Sequence, residues 1–177
     1  MPRNNADNYN SGKKQEKEAD IYVKQHGFCR PSAQQRKIIK EALRVAEGIE
    51  INTSGFDLIP SDILPFCNKV GDLAACLLEK NLPEGKYLPD LVLYEMKSAG
   101  SARKKALGEK WKGFGFTYSE NEDFNWQALG DDRYKFVFVN MQSEVSHHII
   151  LHRDDWHKPE AARMIRTKSV FIKELNL

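Results

Sequence analysis

The chain lacks any apolar run long enough to span a bilayer, and its first twenty residues, MPRNNADNYNSGKKQEKEAD, contain no hydrophobic core of the kind a signal peptide carries. The expectation is a cytoplasmic protein with no membrane partner. Cysteine is scarce. Cys29, Cys67 and Cys76 are odd in number and lack the short paired spacing of a zinc site or redox motif, so reduced, mostly buried thiols are expected. Neither sign of charge dominates, with 27 Lys and Arg against 25 Asp and Glu and a formal net charge of +2, which neither demands nor excludes a nucleic acid. A Gly-X-Ser-X-Gly elbow is missing, which leaves serine-nucleophile chemistry without support. Gly113 and Gly115 do not form a nucleotide-binding fingerprint, so ATP is not expected.

What is present is a globular balance of 41% apolar and 29% charged residues over a length of 177, enough for one core. Residues 1–20 read as a flexible polar arm and residues 21–177 as a single domain. RPSAQQRKIIKEALRVAEG predicts a helix, with Ser32 as N-cap, Gln35 closing a capping box and Gly48 as the stop. Its apolar stripe is Ile38, Ile39, Ala42, Leu43, Val45 and Ala46. A second helical pattern runs from about Ser61 to Lys80, with Pro65 able to delay its start.

A turn over 81–86 then leads into an extended segment around PDLVLYEMKS, residues 89–98. Further strands are predicted at 113–118, 134–140, 146–152 and 169–175, and a helix over WHKPEAARMIRTK, with Pro159 in its first turn. Two helices, a meander of strands, a helix and a last strand make an α/β chain with a mixed β-sheet flanked by helices.

The segment 89–98 poses the functional question, because an apolar strand carries Asp90, Glu95 and Lys97. Such charges must reach solvent or surround something that compensates them. Glu95 and Lys97, two apart, share one face of an extended strand, whereas Asp90 joins them only if the chain bends within LVLY. With that bend, two hard oxygen ligands and an ammonium converge, a set suited to Mg²⁺ and an attacking water, with the Met96 carbonyl as a further ligand. A lone Glu-X-Lys is common by chance and ordinarily marks a solvated strand face.

Pro89-Asp90 followed by Glu95-Met96-Lys97 resembles the PD-(D/E)XK nuclease signature, in the compact spacing of MvaI/BcnI-type restriction endonucleases and MutH-like nicking enzymes. Gly71, Leu77-Leu78-Glu79 and Leu82-Pro83 match the glycine-started helix, Leu-Glu pair and loop that precede the signature in those families. The resemblance covers residues 68–98. It implies a restriction-endonuclease-like α/β fold and Mg²⁺-dependent hydrolysis of double-stranded DNA, most simply by a type II restriction endonuclease. Asp90 and Glu95 then correspond to the metal ligands, Lys97 to the catalytic lysine and Glu79 to a supporting acid. A restriction role also implies a cognate methyltransferase encoded nearby, and the chain acts alone or as a homodimer. A repair nuclease or junction resolvase is the alternative within this class, and a non-catalytic nucleic-acid-binding module the alternative outside it.

DNA contacts are expected from the basic run after the signature, Arg103, Lys104, Lys105, Lys110 and Lys112, interleaved with Trp111, Phe114 and Phe116. Arg163 and Arg166 offer a second phosphate contact. His147, His148 and His152 invite a metal reading, but no nearby Cys, Asn or Asp completes a ligand spacing, so a sheet edge or DNA contact is expected of them.

Overall fold

The computed structural model describes residues 16–79, 90–99, 114–141, 147–157, 162–166 and 169–172. Residues 16–25 are helical and form α1. There follow β1 (Phe28–Cys29), α2 (Ala33–Glu47), β2 (Ile59–Pro60), a 3-10 turn (Leu64–Phe66), α3 (Val70–Leu78), β3 (Leu93–Ala99), β4 (Gly115–Thr117) and α4 (Glu120–Arg133). The chain continues through β5 (Tyr134–Asn140), β6 (His147–Leu151), α5 (Arg153–Trp156), β7 (Ala162–Arg166) and β8 (Ser169–Ile172). This is a mixed α/β chain. Among the described residues the strands form three small sheets, ordered β1-β2, β3-β5-β6 and β4-β8-β7.

Two compact units interleave along the sequence, and their boundaries fall inside β3, after Glu95, and inside β5, after Lys135. The first unit takes the chain up to His26, Met96–Thr117 and Phe136 onward; the second takes Gly27–Glu95 and Tyr118–Lys135.

In the second unit α2 packs against α3. The α2 N-terminus is closed as its sequence requires: the Ser32 side chain accepts from the Gln35 N–H at 3.2 Å and the Gln35 side chain accepts from the Ser32 N–H at 2.9 Å. Gly48 ends it in the left-handed region, φ 70°, where a Cβ would be strained. Ile38, Ile39, Ala42 and Leu43 are buried, each large side chain contributing about 1.5–3 kcal/mol of apolar transfer. Val45, expected on that stripe, instead stays 58% exposed, because the buried arc ends with Leu43.

The second helical pattern is split, and Pro65 is the reason: it opens the 3-10 turn, and α3 begins only at Val70. Ile63, Cys67, Leu73 and Ala74 are buried, while Leu78 is exposed. Helix α4 was not expected from the sequence, although Ser119 and Glu122 stand at capping-box spacing and the Ser119 side chain accepts from the Glu122 N–H. Gly130, φ 70° and ψ 178°, breaks α4 near its end.

In the first unit, β4 and β7 flank β8, both antiparallel to it, and β5 pairs antiparallel with β6 from Phe136↔Leu151 to Asn140↔His147. The core is aromatic. Trp156, fully buried, sets its ring edge-on to Phe116 and Phe136, each 5.2 Å away, and Phe138 lies 5.1 Å from Phe114.

Two expectations are corrected here. Residues 16–20, the described part of the supposed arm, are helical and bury Ala19, because Ala19 and Val23 form an apolar i,i+4 pair that straddles the assumed boundary at residue 20. The helix expected over 156–168 is likewise overturned in its described residues 162–166. Helix α5 stops at Trp156, and Ala162–Arg166 is strand β7, paired with β8 through a register shift between Met164 and Arg166. Pairing with β8 outweighs the helical preference of Ala, Arg and Met, which is a weak local bias. The turn over 81–86 and the arm residues 1–15 lie outside the described residues.

Candidate active site

Strand β3 begins at Leu93, so Glu95, Met96 and Lys97 are strand residues while Asp90 lies ahead of the strand in non-regular chain. Asp90 is exposed, and Leu91 next to it is buried. Glu79 caps the C-terminus of α3, its N–H donating to the Ala75 carbonyl at 2.8 Å, and its side chain is exposed. Glu95 and Lys97 are different: they keep only 9% and 8% exposure. Ionisable side chains of either kind are seldom buried to this degree unless they are paired or have work to do. Met96, between them, is buried at 8%.

Glu95 is set in place by the second unit. The N–H groups of Asp57 and Leu58 both donate to the Tyr94 carbonyl, at 2.8 and 2.9 Å, and the Tyr94 N–H returns a 2.9 Å bond to the Leu58 carbonyl. Two donors on one carbonyl is the pattern of a bulge, a device that re-aims side chains where strict pairing stops. The backbone is thereby pinned one residue ahead of Glu95.

The loop that carries Asp57 is held by Arg36 of α2. Its guanidinium donates to the carbonyls of Thr53 at 3.1 Å, of Phe56, and of Asp57 at 3.4 Å, and lies 5.0 Å from the centre of the Phe56 ring. Asp57 in turn accepts from Arg30 Nη1 at 2.5 Å, with Arg36 Nη2 at 3.9 Å. Burial lowers the Arg36 guanidinium, and the anionic Asp57 and Glu95 oppose that shift. Tyr134 stands in the same field. Its buried hydroxyl donates to the Gly55 carbonyl and is pushed well above its usual range by burial first, then by Glu95 and Glu122.

The loop has little freedom elsewhere. Buried Asn125 accepts from the Asn52 N–H at 2.6 Å and donates to the Asn52 carbonyl at 2.9 Å. A Cβ on Gly55 would stand 2.6 Å from Asn125 Nδ2 and closer still to the Asn121 carbonyl oxygen, so only glycine fits. Arg36, Asp57 and Asn125 were not singled out from the sequence. No local signal marks them, since the partners that fix the loop lie 17 to 73 positions away.

Lys97 belongs to the first unit, where its Nζ lies 5.8 Å from the centre of the Phe116 ring, within cation–π range. Arg163 and Arg166 fall on β7. Arg103, Lys104, Lys105, Lys110 and Lys112 lie outside the described residues. His147 pairs with Asn140 across the sheet and His148 with Val139, while His152 precedes α5, its N–H donating to Asp155 at 2.8 Å.

Among the described residues no three side chains of His, Cys, Asp and Glu gather in a group able to hold a metal ion. Mg²⁺ does not require one, since it is ordinarily taken by one or two carboxylates together with waters and substrate phosphates. In donor chemistry Asp90 and Glu95 fit that pattern. Among the described residues no helix is long and apolar enough to cross a membrane. Comparison with protein-family models, curated proteins and solved structures finds no match for this chain.

Proposed function

We propose that the chain is a Mg²⁺-dependent endonuclease that hydrolyses double-stranded DNA, with a restriction-endonuclease-like core and, most simply, a type II restriction role. One observation carries this reading: an acid and a base two residues apart on β3, Glu95 and Lys97, are both withdrawn from solvent, five residues and more after the exposed carboxylate of Asp90. A solvated strand face, the ordinary meaning of Glu-X-Lys, would leave both side chains wet.

Asp90 and Glu95 would hold the ion, with the Met96 carbonyl oxygen as a further ligand. Bound there, Mg²⁺ would offset charge on the phosphate and make its water more acidic. The protein's own groups do the positioning. Lys97 Nζ donates a hydrogen bond to the attacking water or to a phosphate oxygen. Glu79 would be the supporting acid that the resemblance implies. The water oxygen bonds to phosphorus as the bond to the 3′ oxygen breaks; the attacking water gives up a proton to solvent and the 3′ oxygen takes one from it, leaving a 5′ phosphate and a 3′ hydroxyl. The basic residues Arg103, Lys104, Lys105, Lys110, Lys112, Arg163 and Arg166 meet the phosphate backbone, a contact that weakens as salt rises.

The test is digestion of supercoiled and linear duplex DNA with Mg²⁺, comparing the parent with Lys97→Ala and Glu95→Gln. The parent is expected to give discrete fragments. The Lys97→Ala protein should bind DNA but cleave roughly 10²- to 10⁴-fold more slowly. Nicking without double-strand cleavage would move the role to repair, and binding with no divalent-dependent cleavage by the parent would overturn the enzyme in favour of a binding module.

A further inference from the structure

A second cluster of ionisable rings lies within the first unit and has no part in the proposed chemistry. Tyr22 and His26, one helical turn apart on the α1 side, stack with ring centres 4.1 Å apart. His148 of β6 closes the group: its ring stands edge-on to His26 at 5.0 Å and to Tyr22 at 5.6 Å, and its Nδ1 lies 3.1 Å from the Tyr22 hydroxyl.

Chemistry settles part of the protonation pattern. His26 Nδ1 is 2.8 Å from the Tyr22 carbonyl oxygen, which can only accept, so that nitrogen carries a hydrogen. The Tyr22 hydroxyl can donate to His148 Nδ1 only while that nitrogen is bare. Burial first, then His26 and His147, holds the His148 imidazole below its ordinary range. Its cross-strand partner on β5 is Val139, which offers no charge. The helix itself carries Glu16, Lys17, Glu18, Asp20 and Lys24.

We propose that Tyr22, His26 and His148 form a pH-sensitive clasp that docks α1 on β6 while the His148 imidazole is neutral and releases it when that ring is protonated. Protonation takes from His148 Nδ1 the lone pair that accepts from the Tyr22 hydroxyl and sets a positive charge in a half-buried ring cluster, 5.0 Å from the His26 ring. The sign follows from linkage. A histidine lowered in the docked state binds fewer protons there than in the released state, so docking is complete above the ordinary imidazole value of about 6.5 and weakens as pH falls from there through the lowered value. Release would uncover Ala19 and Val23, both buried in the docked form. The clasp does not depend on the nuclease reading.

Hydrogen exchange of the full chain at pH 7.5 and pH 5.0 tests it, with amide protection in 16–25 corrected for intrinsic rates and compared with β5. Protection of 16–25 relative to β5 is expected to fall on the order of tenfold at the lower pH. His148→Phe, which keeps a ring and loses the proton site, should abolish that fall. An unchanged ratio in the parent, or an equal fall in His148→Phe, overturns the proposal. Should that variant not fold, His148→Gln, which likewise takes no proton, must abolish the fall; an undiminished fall overturns the proposal too. The imidazole titration of His148 followed by NMR must have a midpoint below about 6.5, and a midpoint at or above it also refutes the clasp.

Discussion

At the scale of single residues the decisive property is access to water, and the sequence does not spell it out. Glu95 and Lys97 carry the same charges whether wet or dry; the fold makes them dry. Cys67 shows the same effect on a thiol. Burial first, then neighbouring Cys29 and Cys76, pushes it up to about 12, so almost none of it is thiolate at neutral pH. In the native protein at pH 8, iodoacetamide is expected to leave Cys67 unmodified while half-buried Cys29 reacts. Peptide masses read the outcome, and alkylation of Cys67 at the rate of a free thiol would contradict its place in the core.

At the scale of elements, what was legible is what neighbours along the chain decide. The α2 capping box was read from Ser32 and Gln35 alone, and Ser32→Ala should cost about 1 kcal/mol in urea unfolding, with the helix otherwise retained. Strands β5 and β6 were likewise plain in YKFVFVN and HHIIL, since dense aromatic and β-branched residues fit a pleated surface. Strand β7 was not, because ARMIR reads as helix until β8 is available to pair with it. Helix α4 was missed for the opposite reason: its cap is local, but Glu, Asn and Asp crowd a segment with no clean apolar stripe.

At the scale of the molecule, each unit has its own core, and that of the first is built from rings. Trp156 lies beneath Phe116 and Phe136, and removing it leaves a void that rigid neighbours cannot fill. Trp156→Ala is expected to lower stability by about 3–5 kcal/mol in chemical denaturation. A loss below 1 kcal/mol would mean that the aromatic cluster is looser than its ring contacts indicate.

The sequence alone determined the positions of α2, β5 and β6, the late start of α3 behind Pro65, and the spacing of Asp90, Glu95 and Lys97. All of these depend on backbone preferences and on side-chain alternation over a few residues. Tertiary structure alone decided that Glu95 and Lys97 are buried, that Arg36 and Asp57 brace the chain ahead of Glu95, that Ala162–Arg166 is a strand, and that His148 meets Tyr22 and His26. Each of these depends on groups far apart in the chain, whose meeting is set by the packing of the whole, and no short stretch of sequence contains that information.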